Sequence, residues 1–259
     1  MNRGRLELLG TGTSQGVPVI GCDCAVCRSD DVRDKRLRSA AYISTADVKF
    51  NIDIGTDFRM QMLRAGLTDT DAVFITHEHI DHINGLDDIR PINYLHEKSI
   101  PVYCEERVAM ELRKRYAYIF DNHPYPGLPQ ISIHIVSPGD TVSFGKLNVE
   151  VLRVFHGSLP ILGFKMGDVC YLTDVKSLPD QTLNAINQCN TLITSSLHRK
   201  PHHSHMNLSE SILLASQLKV PKVYFIHCSH QMGKYATVNK TLPEGVELAY
   251  DGLSLDFSY

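Results

Sequence analysis

Short apolar runs recur along the whole chain, each closed by glycine, proline, asparagine, aspartate or serine. Runs of this kind at 5–9, 40–45, 48–53, 71–75, 100–104, 131–136, 141–144, 147–154, 162–166, 169–173, 191–195, 222–226 and 253–257 predict strands. Apolar positions spaced three and four apart predict helices over 56–65, 105–117, 179–188 and 207–218. The last has a capping-box start, with Asn207 as N-cap and Glu210 three residues on. Strands interspersed with helices point to a layered α/β protein rather than a bundle. Periodicity does not order the strands. No internal repeat, low-complexity stretch or linker is visible, so residues 1–259 are expected to form a single domain.

Four of these strands run directly into ligand-type residues. Phe74-Ile75-Thr76 leads into His77, Val154-Phe155 into His156, Leu172-Thr173 into Asp174, and Phe225-Ile226 into His227. Strand ends on a rigid scaffold are where sites are usually built. The segment His77-Glu78-His79-Ile80-Asp81-His82 packs four donors into six residues. Imidazole and carboxylate suit zinc and similar first-row ions. Four donors cannot fill two coordination shells, so His156, Asp174 and His227 are the candidates to complete them. Asp174, with two oxygens, is the candidate bridge.

Composition narrows the picture. The chain has 259 residues, 43% of them hydrophobic, enough for a sizeable core without disulfides. The net charge of −3 argues against a general nucleic-acid binder. No apolar stretch has the length of a signal peptide or a membrane span, so a soluble cytoplasmic protein is expected. Three of the seven cysteines crowd into Cys22, Cys24 and Cys27. A structural zinc usually takes four ligands, and His230 is the candidate for the fourth. A redox thiol pair, or three unrelated buried cysteines, are the other readings. Four further histidines, His198, His202, His203 and His205, precede the predicted helix 207–218. The run Arg33, Lys35, Arg36 and Arg38 reads as a solvated face from which Arg38 could reach a phosphate.

The His-x-His-x-Asp-His segment, followed in order by His156, Asp174 and His227, resembles the signature of the metallo-β-lactamase superfamily. That resemblance implies an αββα sandwich, two mixed β-sheets flanked by helices, with the site at one edge. It implies one divalent ion on His77, His79 and His156, a second on Asp81, His82 and His227, and Asp174 between them. Gly10-Thr11-Gly12-Thr13-Ser14-Gln15-Gly16, the Cys-x-Cys-x-x-Cys loop and His227-Cys228-Ser229-His230 are similar to the PhnP group. In that group three cysteines and the second histidine hold a structural zinc, here Cys22, Cys24, Cys27 and His230. It also places a catalytic histidine just before the helix, here His205, and related hydrolases carry one at the position of His202.

The function expected on this basis is hydrolysis of a small or cyclic phosphodiester. Two zinc or manganese ions about 3.5–4 Å apart would share a hydroxide. Asp81 would orient it, and a protonated His205 would assist the leaving group. The partner would be a small-molecule phosphodiester, with no membrane and no nucleic acid, in a chain that could form a homodimer. Three other readings stay open. They are a transfer-RNA 3′-end nuclease, whose long arm is not seen here, a lactone or thioester hydrolase, and a non-catalytic binding protein.

Overall fold

The computed structural model describes residues 2–121 and 127–259. Its first sheet is built from β1 (Arg3–Gly10), β2 (Ala40–Ser44), β3 (Lys49–Ile52), β4 (Ala72–Phe74), β5 (Ile100–Cys104) and β6 (Ile131–Ile135). Helices α1 (Phe58–Ala65), α2 (Ile80–Ile83), α3 (Arg90–His96), α4 (Glu106–Arg115) and α5 (Ala117–Phe120) fall between these strands. The second sheet follows with β7 (Thr141–Phe144), β8 (Leu147–His156), β9 (Leu159–Met166), β10 (Val169–Leu172), β11 (Thr191–Ser195), β12 (Lys222–Ile226) and β13 (Val246–Leu248). Helices α6 (Asp180–Ile186), α7 (Leu208–Gln217) and α8 (Tyr235–Asn239) connect its later strands, and β14 (Ser254–Ser258) returns to pair with β1.

Each sheet has seven strands, ordered β14-β1-β2-β3-β4-β5-β6 and β13-β12-β11-β10-β9-β8-β7. In both, an antiparallel meander gives way to parallel strands joined by helical crossovers. The topology therefore repeats although the sequence does not. The period of two along the strands sorts their side chains. Leu6, Leu8, Phe50, Ile52, Phe74, Val149, Val151, Phe164, Tyr171 and Ile193 face the space between the sheets. Leu9, Tyr42, Val73 and Val102 face outward under α1, α3 and α4, while Val154, Leu172, Leu192 and Phe225 pack under the other helices. Parallel strands covered on both faces have no polar side to show, which is why their sequences read as continuous apolar runs. These are the two mixed sheets and outer helices of an αββα sandwich.

All the predicted strands form, and several short elements are additional among the described residues. β13 has three residues, and α2, α3 and α8 are four to seven residues long. Elements this short carry too few positions to show a period and are set by what they dock against. The helix predicted over 105–117 forms as α4, which ends at Tyr116, and the short α5 follows it. Tyr116 is buried and its hydroxyl donates to the Ile83 carbonyl at 3.0 Å, which pins the chain there.

Candidate metal centre

The strand ends converge at one edge of the two sheets. After β4 the chain passes His77, reaches His79 on extended backbone and then turns into α2, which presents Asp81 and His82 from its first turn. That turn is seated on the segment after β3. Ile54 N–H donates to the His82 carbonyl at 2.9 Å, and Gly85 N–H donates to the Ile54 carbonyl at 2.7 Å. Gly55 is required here, because a Cβ would stand 1.8 Å from the Asp81 carbonyl oxygen. Asp53, Asp174 and His227 each hold left-handed backbone, at φ 61°, 54° and 57°. For non-glycine residues this costs of order 1–3 kcal/mol apiece, and such strain gathers at functional sites.

The imidazoles are oriented by hydrogen bonds from their outer nitrogens. His77 Nδ1 bonds Thr76 Oγ1 at 2.9 Å, His82 Nδ1 donates to Asp53 Oδ2 at 2.7 Å, His156 Nδ1 donates to the Ser204 carbonyl at 2.8 Å, and His227 Nδ1 bonds Ser39 Oγ at 3.3 Å. In all four the Nε2 lone pair is turned inward. There the donors crowd together. His77 Nε2 is 3.0 Å from His79 Nδ1. His82 Nε2 is 3.2 Å from Asp81 Oδ2 and 3.3 Å from Asp174 Oδ2, and His227 Nε2 is 3.1 Å from Asp174 Oδ1. Nitrogen and oxygen donors about 2.1 Å from a shared ion stand roughly 3.0–3.4 Å apart, so these separations fit divalent cations. Asp174 groups within 4.8 Å with His77 and His82, and again with His156, so it lies between donors of both positions, as a bridging carboxylate would. His77, His79 and His156 also group within 4.8 Å.

The electrostatics agree. Burial, then the neighbouring His82, pushes His77 well below the ordinary histidine pKa. Burial, then His156, lowers His79, and burial also lowers His227. His82 goes the other way: burial opposes a charge, but Asp81, Asp53 and Asp174 together raise it well above the ordinary value. Burial likewise opposes the charge on Asp174, but His227, His82, His77 and His205 hold it well below the carboxylate range. Carboxylates gathered this closely, with Asp53 and Asp174 buried, need positive charge beside them.

Asp53 was not singled out from the sequence. It is fully buried, accepts from Thr76 N and Oγ1, and fixes the His82 tautomer, the usual second support of a metal-binding imidazole. The only sequence signal was its place at the end of an apolar strand, the same signal carried by His77 and Asp174.

His205 joins the cluster, its Nδ1 3.6 Å from Asp174 Oδ1 and its ring 5.0 Å from that of His227. It is held there by the Asn207–Glu210 capping box of α7, which forms as expected, and by Lys176, which bonds both Glu210 and the His205 carbonyl. Burial, then His227, pushes its pKa down to about 3. Burial among imidazoles thus favours the neutral form of His205. His202 stands at the mouth, its ring 5.2 Å from that of His205.

Cys22, Cys24 and Cys27 surround His230 Nδ1, with Sγ atoms at 3.2, 3.5 and 3.6 Å. Donors around a tetrahedral zinc, with Zn–S about 2.3 Å and Zn–N about 2.0 Å, stand roughly 3.5 Å apart, so this set also fits. The basic run that follows is not a solvated face. Arg36 is buried and donates to Thr11 Oγ1 and the Ala249 carbonyl, Arg33 pairs with Asp31, and Lys35 donates to the Cys27 carbonyl. Arg38 pairs with Asp57 at 2.8 Å and donates to the Ser14 carbonyl at 2.7 Å, which commits the guanidinium that was a candidate for phosphate. A cleft of about 230 Å³ lies between His230 of the cysteine cluster and Thr13, whose hydroxyl is 3.2 Å from His227 Nε2, and Ser14, Gln15, His198, Ser229 and Gln231 also line it. Among the described residues no helix is long and apolar enough to cross a membrane.

Comparison with known proteins places these observations. A family model for the β-lactamase superfamily domain matches residues 49–228. An octanoyltransferase of Porphyromonas gingivalis is 41% identical over 251 residues, 96% of this chain but 51% of that protein. The chain thus spans about half the length of that relative. A ribonuclease Z of Methanopyrus kandleri is 28% identical over 137 residues, 51% of this chain and 44% of its own. Among solved structures, a diphosphatase from the PhnP family superposes with a TM-score of 0.91 at 38% identity, covering 98% of this chain and 97% of the other.

Proposed function

This chain belongs to the metallo-β-lactamase superfamily as a PhnP-like hydrolase, and on that footing we propose that it cleaves small or cyclic phosphodiesters, or the related diphosphate bond, at a centre of two divalent ions. The observation that carries the proposal is a complete donor set, His77, His79, Asp81, His82, His156, Asp174 and His227, with His205 placed on it as an eighth polar group. Zinc or manganese suits these donors, and a further zinc suits the cysteine cluster. Bound there, two ions supply a water deprotonated near neutral pH and positive charge for phosphoryl oxygens.

The chain's own groups supply the rest. Asp81, anchored on α2, orients the attacking water. Neutral His205 donates an N–H to a phosphoryl oxygen or to the departing alkoxide, at a site prepared before the substrate arrives. His202 lies next to it at the mouth. The cleft beside Thr13 offers hydroxyl, amide and imidazole groups to the uncharged part of the substrate.

A second reading, hydrolysis of a thioester or other acyl ester, draws on the octanoyltransferase relative. Half of that protein lies outside the match, so its named transfer is a property of a longer chain. One experiment separates the readings. Protein loaded with zinc or manganese is assayed against alkyl and cyclic phosphodiesters, dinucleoside diphosphates, acyl thioesters, lactones and a transfer-RNA precursor. Phosphodiester or diphosphate turnover above all others is expected. Faster turnover of a thioester would overturn the proposal in favour of the second reading.

A further inference from the structure

Glu78 stands between His77 and His79, yet it is not a donor to the centre. Its side chain forms an ion pair with Arg107, from the first turn of α4. Its other oxygen, Oε2, is buried and has no hydrogen-bond partner among the described residues. The Glu78 carboxylate therefore depends on Arg107. The second arm of that guanidinium, Nη2, donates to the Pro160 carbonyl at 2.7 Å. Pro160 pairs with Phe155 across the β8–β9 hairpin, one rung from His156. Arg107 also lies 3.9 Å from Glu105, which accepts from Arg153 on β8 at 3.1 Å. Arg153 in turn donates to the Ile161 carbonyl at 3.4 Å.

We infer that Arg107 is a positioning residue for the His77, His79 and His156 metal position. His77 and His79 come from the first sheet and His156 from the second, so the distance between them is a distance between sheets. A backbone bond, Leu162 N–H to the Thr76 carbonyl at 3.0 Å, ties the sheets at one point nearby. Arg107 adds a second tie, on the side chain between the two histidines. A planar fork can hold a carboxylate and a carbonyl at once, and an ammonium cannot reproduce that geometry. Among the described residues, Asp81, His82 and His227 form no hydrogen bond or ion pair with Glu78, Arg107, Glu105 or Arg153, so the effect should be confined to one of the two positions.

The inference rests on the two-ion reading, and the test keeps the two apart. Each metal position is isolated by a variant that removes a donor from the other. His227→Ala retains His77, His79 and His156, and His79→Ala retains Asp81, His82 and His227. With zinc left on the cysteine cluster, cobalt affinity of the centre is measured in both backgrounds by competition with a chelator. Arg107→Ala should weaken binding about 10- to 100-fold in the His227→Ala background, the range seen when the support of a ligand is removed, and leave the other background unchanged. Arg107→Lys should recover only part of the loss. Adding Glu78→Gln to Arg107→Ala should cost nothing further, since Arg107 acts through Glu78. Equal weakening in both backgrounds, no weakening, or additive losses would overturn the inference. If Arg107→Ala does not fold, Arg107→Lys carries the same comparison between backgrounds. If neither background, with Arg107 intact and zinc left on the cysteine cluster, took up cobalt, the hydrolase reading would fall instead.

Discussion

His227 and His230 lie three residues apart, yet they serve two clusters built in opposite ways. The His/Asp centre draws its donors from strand ends of both sheets, and four of its five imidazoles are aimed by a hydrogen bond before any ion arrives. The cysteine cluster hangs on one irregular loop, with two half-buried thiols and one distant imidazole. A centre held by sheets can keep buried, mutually repelling donors in place, so it is prepared for chemistry. A cluster on a loop has no such frame, so its ion is part of what holds the loop in shape. Removing a donor should therefore abolish turnover at the first and lower stability at the second.

The largest effect that can break this contrast is at Asp81. Asp81→Ala should lower turnover by about 10³-fold or more while circular dichroism and melting temperature stay near those of the parent. A large loss of melting temperature would mean that the centre also holds the fold together. Next is His205. His205→Ala should slow an alkyl or cyclic phosphodiester by about 10²-fold, and bis-nitrophenyl phosphate, whose leaving group needs no help, far less. Because burial holds its pKa at about 3, the neutral form is complete above about pH 5. The ratio of parent to variant should then be flat from pH 5 to 9. A ratio that fell as pH rose through 6–8 would restore the protonated acid.

At the loop, Cys24→Ser should release one zinc and leave two ions at the centre, as read by elemental analysis. Its melting temperature should fall by roughly 5–10 °C, taking about 2–4 °C per kcal/mol. Unchanged zinc content would end the contrast. The smallest effect sharpens it within the loop. The Cys27 N–H donates to Cys24 Sγ at 3.4 Å and lowers its pKa to about 6, whereas burial raises Cys27 to about 11. With zinc removed, iodoacetamide at pH 7 should label Cys24 well before Cys27, and zinc should protect both. Equal labelling rates would show that the loop loses this geometry without its ion.

The sequence by itself determined the parts whose causes are local. A period of two marked the strands, because alternate side chains face alternate layers whatever the order of the sheets. The capping box at Asn207 and the spacing of His77, His79, Asp81 and His82 needed only a few consecutive residues to be legible. The later donors His156, Asp174 and His227 were visible because each ends an apolar run. Tertiary structure decided what depends on contacts between distant segments. It paired Asp53 with His82, 29 positions away, and turned Arg36 and Arg38 from an apparent surface run to Thr11 and Asp57. It seated the four-residue α2 on Gly55, which no short-range propensity could do. It also set the charge of His205, because burial among other imidazoles is a property of the assembled site, and no residue carries it alone.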